Sequence, residues 1–143
     1  MASPISTAQL EVAVKPPLLS SALALCARIL IATIFVLSGM SKLADPSGTI
    51  SYIASVGLPL PTSGFILAVF VEIFGGAALI LGYRTRWIAS VLAIFSVAAA
   101  VAFHNQFGDQ NQFTHFLKNL AIAGGLLQVT AFGPGNFSLD GRR

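Results

Sequence analysis

Four segments of the chain are nearly unbroken apolar runs, roughly residues 18–40, 62–82, 87–104 and 115–132, and polar residues gather in the short pieces between them. As helices, runs of about 20 apolar residues match the thickness of a bilayer's hydrocarbon core. The first run follows "KPP", where proline suits the first turn of a helix, and "ADPSG" closes its extension beyond Lys42. The second lies between "LPLPTSG" and "GYRTR". The third opens on Trp87, a residue type favoured at the membrane interface, and the fourth stops at "FGPG". This pattern predicts an all-α membrane protein: one compact four-transmembrane-helix bundle over 18–132, with a short lead, 1–17, and a short tail, 133–143. The first run reads as a retained span. It lacks a strongly basic lead and exceeds the apolar length of a cleaved signal, about 7–15 residues.

Composition agrees with the pattern. Of 143 residues, 55% are hydrophobic and 9% charged, against about 25% charged in an ordinary soluble domain. The bilayer is the expected solvent, so the net charge of +3 bears on orientation and gives no reason to expect nucleic acid. Four spans put both termini on one side, together with Lys15, Arg84, Arg86, Arg142 and Arg143. The opposite side holds Lys42, with Lys118 just inside the fourth span. The positive-inside rule then predicts cytoplasmic N- and C-termini. The single cysteine, Cys26, excludes an internal disulfide or a C-x-x-C pair and is expected to be a small buried hydrophobe.

Three ionisable residues fall within the predicted spans: Arg28, Glu72 and Lys118. A central charge costs about 2.5–3.5 kcal/mol on insertion scales. The eleven Leu, Ile, Phe and Val residues between 65 and 81 return roughly 5 kcal/mol, so the second span inserts despite Glu72. Counting from the outer ends at Met40 and Thr62 puts Arg28 and Glu72 about 18 and 15 Å deep. That match predicts an Arg28–Glu72 pair between antiparallel helices. Small residues share the charged faces: Ala68, Gly75 and Gly76 near Glu72, Ala24, Ala32 and Gly39 near Arg28, and Ala121 and Gly125 near Lys118. Such faces permit close helix approach and are expected to point inward. Lys118 is expected within about a turn of the outer surface, able to reach water. Two readings of the charges stay open: a structural lock between helices, or a ligand, proton or substrate site.

His104 and His115 flank the outer loop with Asp109 between them. Their separation does not fit a helical metal pair such as H-E-x-x-H, so no metal is assigned and the histidines are expected to cap helix ends. Asn119 and Gln128 are expected to hydrogen-bond between helices. The glycine-rich "GGAALILG" and "AGGLL" lie inside spans and so do not read as phosphate loops.

Taken in order, Arg28 leading into "FVLSGMSKL", then "SVGLPLP", "VEIFGGAALILGYRTRWIASVLA", "KNLAIAGGLL" and "GPGNFSLD" resemble the DoxX family of small bacterial four-span membrane proteins, over roughly residues 25–140. The resemblance implies a multi-pass protein of the bacterial plasma (inner) membrane. It places Arg28, Glu72, Lys118 and Asn119 on the family's characteristic polar positions without assigning roles. It also implies a link to membrane redox chemistry, since relatives include a subunit of thiosulfate:quinone oxidoreductase and parts of oxidative-stress complexes. Distant animal relatives look like assembly chaperones or cargo receptors. No redox cysteine pair or haem motif stands in the sequence, so no intrinsic cofactor is expected and a redox role would borrow one, a membrane quinone first. The leading expectation is an accessory subunit of a redox or oxidative-stress system. In it Arg28, Glu72 and Lys118 meet a quinone, Phe35 or Phe70 packs its ring, and a protein partner or a second copy completes the complex. The alternatives are a non-enzymatic scaffold or assembly factor and, less favoured for want of an inverted repeat, a small transporter.

Overall fold

The computed structural model describes residues 18–142; the expected lead, 1–17, and with it Lys15, lie outside the described residues. Five α-helices follow one another: α1 (Leu18–Ala44), α2 (Pro46–Ser55), α3 (Pro61–Leu81), α4 (Thr85–Phe103) and α5 (Gln110–Phe132), then a 3-10 turn at Asp140–Arg142. The four predicted spans correspond to α1, α3, α4 and α5, and each boundary shift has a local cause. α1 runs on to Ala44 because nothing between Met40 and Ala44 breaks a helix. α5 starts five residues early because the Asp109 carboxylate caps it, accepting from the amides of Asn111 and Gln112 at 2.8 and 2.9 Å.

The segment between the first two spans holds a helix that the apolar pattern does not announce. Asp45 accepts from the amide of Gly48 at 2.9 Å and Pro46 fills the first turn, so "DPSG" restarts the helix as α2. Ile53 of α2 is buried and packs near Gly64 at the start of α3.

Among the described residues, α1, α3 and α4 are long and apolar enough to cross a membrane. α5 is 23 residues long and carries more polar side chains. Many large apolar residues point outward on these helices, among them Leu30, Leu37, Phe70, Phe74 and Ile94, as expected where lipid replaces water. Cys26 is also exposed, against the expectation of burial; it lies on an outward face of α1.

α1 packs along α3 and α4 along α5, and α3 against α4 joins the two pairs. The α1–α3 seam is close because glycine forms it. A Cβ on Gly76 would lie 2.8 Å from Val36 Cγ2, and one on Gly39 would lie 2.6 Å from Ile73 Cγ1. Between α3 and α4, Gly75 meets Leu92 in the same way. The packed core of Ala32, Phe35, Leu79, Ala89, Leu92, Ala93, Ala123, Leu126 and Val129 is richest toward the end of the bundle where α3 turns into α4. Toward the α2 end the pairs part, since Ala68, Ala98, Ala99 and Ala102 are too small to fill the gap.

Candidate functional site

The gap is a cavity of about 670 Å³ lined by all five helices. Its apolar wall includes Phe35, Ile53, Leu67, Phe95 and Phe103; its polar side chains include Ser38, Lys42, Glu72, Ser96, His104, His115, Lys118 and Asn119. Tyr52 of α2 stacks on Phe103 of α4, ring centroids 5.6 Å apart, and closes one side.

Glu72 is 4% exposed, and Lys42 is its partner. The Lys42 ammonium donates to both carboxylate oxygens at 2.9 Å and to Ser38 Oγ at 2.8 Å, while the Ser38 hydroxyl donates to Glu72 Oε1 at 3.1 Å. The three ammonium hydrogens and the carboxylate are thus mutually satisfied inside the α1–α3 seam. Lys42 is missed when it is read only as an outer-side charge. Its four-carbon stem and its placement one turn beyond Ser38 are the sequence signal that would have found it.

The expected Arg28–Glu72 pair does not form. Arg28 lies at the opposite end of the seam, fully buried, and its Nη1 donates to the carbonyls of Leu79 and Ile80 at 3.1 and 3.0 Å. Its Nη2 donates to the carbonyl of Phe137. Two things separate the charges. With α1 ending at Ala44 and α3 beginning at Pro61, Arg28 is about 24 Å from its end and Glu72 about 16 Å from its own. Side chains also lean toward the N-terminus of their helix, and in an antiparallel pair that draws the two apart.

Arg28 instead holds the chain's tail. It binds the last carbonyls of α3, where the helix dipole favours a cation, and one carbonyl of residues 133–142 at the same time. The tail is fastened again at Leu139 and Asp140, whose amides donate to Leu81 and Gly82 carbonyls at 3.1 and 3.0 Å. The Asp140 carboxylate caps α4, accepting from the amides of Arg84 and Thr85 at 2.9 and 2.7 Å and from the Thr85 hydroxyl at 2.8 Å. Gly82, at φ +68°, cannot be replaced freely: a Cβ there would collide with Ser138 and with Arg28 Nη1.

The remaining candidates divide by cavity. The turn after α4 folds back, so His104 and His115 stack with ring centroids 5.1 Å apart and an interplanar angle of 22°. His104 ends α4 as expected, and its Nδ1 is 2.8 Å from Gln112 Oε1; His115 lies within α5. Lys118 is about 12 Å into α5, deeper than the sequence suggested, and has no protein partner among the described residues. Asn119 bonds within its own helix, Nδ2 donating to the His115 carbonyl at 3.0 Å, and not between helices. Gln128 is exposed on α5 outside the cavity. Phe35 lines the cavity; Phe70 faces outward against Phe74, with centroids 4.8 Å apart. The cavity therefore gathers Glu72, Lys118, Asn119, His104 and His115, and leaves out Arg28 and Gln128.

The DoxX family profile matches residues 23–105. The chain is 36% identical over 118 residues to the inner membrane protein YqjF of Escherichia coli, covering 81% of this chain and 88% of that protein. It is also 36% identical over 125 residues to the inner membrane protein YphA of the same organism, covering 84% and 89%. No solved structure matches it. With three helices able to span and relatives of this kind, the chain is a multi-pass inner-membrane protein. A profile match over more than half its length and two relatives aligned along most of theirs lead to one assignment: the chain belongs to the DoxX family.

Proposed function

We propose that this protein is an accessory subunit of a membrane redox or oxidative-stress system, and that the cavity at the α2 end holds a lipophilic ligand, a quinone being the leading class. One observation carries the reading: a space of about 670 Å³ with aromatic walls and a few convergent polar side chains, inside a bilayer protein. Ligand sites commonly measure about 300–1,000 Å³ and have this mix of lining. Phe35, Phe95 and Phe103 flank a planar ring. The donors left for a ring carbonyl include the Lys118 ammonium and the second amide hydrogen of Asn119, whereas those of Lys42 are occupied. Electrons come from a partner protein, and this chain binds and orients the ligand. In the same proposal α5 is the fourth span, and both termini are cytoplasmic, on the side of Arg84, Arg86 and Arg142.

The test is purification in a mild detergent, with mass spectrometry of extracted lipids and co-purifying proteins. A bound quinone, a redox partner, and a rise in Tm with a short-chain quinone that is lost in Ala99→Leu support the proposal. Protein free of quinone and indifferent to it overturns the ligand assignment. A partner retained unchanged by Ala99→Leu in that case favours the scaffold reading.

A further inference from the structure

We infer that the ligand of this cavity carries one negative charge, seated against Lys118. The inference rests on reading the cavity as a ligand site and narrows the class of ligand. It comes from the charges around the space. Lys42 and Glu72 neutralise each other at 2.9 Å. Lys118 lines the same cavity and has no counter-charge among the described residues.

The nearest acids by position are already engaged. Asp109 accepts from the amides of Asn111 and Gln112, and Asp45 from the amide of Gly48 and the hydroxyl of Ser47; neither lines the cavity. The other titratable lining groups are Tyr52, stacked on Phe103, and His104 and His115, stacked on each other; none of them is a carboxylate. Left alone, the lining carries an excess of one positive charge, on a side chain that is exposed on α5 and that no protein acid holds among the described residues. An anionic head group at Lys118, with Asn119 donating beside it, removes that excess, and the aromatic wall takes the lipophilic body. A quinone meets this requirement when its ring bears an ionised hydroxyl, since a ring hydroxyl conjugated to a quinone carbonyl is a vinylogous acid.

The experiment uses the full chain in detergent and two probes, a ring-hydroxylated alkyl naphthoquinone and its methyl ether, matched in shape and differing in charge at neutral pH. The expected result is about tenfold or tighter binding of the hydroxylated probe, the scale of one charge-assisted contact. Lys118→Gln abolishes that preference and Lys118→Arg keeps it, with all three proteins unfolding cooperatively at similar Tm. Equal affinity for the two probes, or a preference that survives Lys118→Gln, overturns the charge assignment and leaves the quinone reading standing. Binding of neither probe overturns both.

Discussion

Glu72 gives both of its oxygens to the ammonium of Lys42, at 2.9 Å each, across the glycine-lined seam between α1 and α3. The pair sits in the cavity wall, so it both secures the seam and shapes the space beside it. Because the Lys42 side chain is 25% exposed and that of Glu72 only 6%, the carboxylate is the partner that suffers when the pair is broken.

Lys42→Met is accordingly expected to destabilise the folded bundle by about 1–3 kcal/mol, less than the 3–5 kcal/mol of a fully buried pair because Lys42 retains some contact with solvent. Lys42→Met combined with Glu72→Gln should recover most of that loss. Unfolding of the purified protein in mixed micelles measures both. A double variant no more stable than the single one would show that the two side chains act separately.

Arg28 acts through a planar fork, with Nη1 on α3 and Nη2 on the tail. Lysine keeps the charge and loses the fork, so Arg28→Lys should be nearly as harmful as Arg28→Gln. Limited proteolysis near Phe137–Leu139 should quicken in both variants. Protection equal to that of the unsubstituted protein in Arg28→Lys would mean that charge alone holds the tail.

Gly76→Ala drives a methyl group to within 2.8 Å of Val36 and 3.3 Å of the Ala32 carbonyl, whereas a Cβ on Gly108 meets nothing within 4 Å. The first should lose about 1–3 kcal/mol by overpacking and the second should stay within about 0.5 kcal/mol. Thermal unfolding of the two variants side by side decides it.

The topology is open to labelling. After Cys26→Ser, a cysteine placed by Gly108→Cys should react with a membrane-impermeant maleimide in spheroplasts, and one placed by Arg142→Cys only after lysis. Labelling of both before lysis would mean that α5, which lies between the two positions, does not cross the membrane.

Much of the fold can be read from the apolar runs, because a bilayer demands a long greasy helix and the runs have its length. The ends of those helices are set by single side chains: Asp109 adds five residues to α5, and Asp45 makes a separate helix of what looks like a loop. The candidate site was half legible. Glu72, Lys118, Asn119 and the two histidines do share one cavity. Backbone depth pairs Arg28 with Glu72 but ignores the direction in which a side chain leaves an antiparallel helix. Lys42 and Asp140 stand outside the apolar runs, where a charge in the sequence reads as surface.

The grip of Arg28 on Phe137 spans 109 positions of the chain. Arg28 leaves the ribosome well before the carbonyl that its Nη2 binds. Until the tail is made, a guanidinium in the first helix has only the end of α3 to turn to. The bundle can therefore close at this end only once Phe137 has been made, and a chain ending before Phe137 would reach the membrane with its clasp undone.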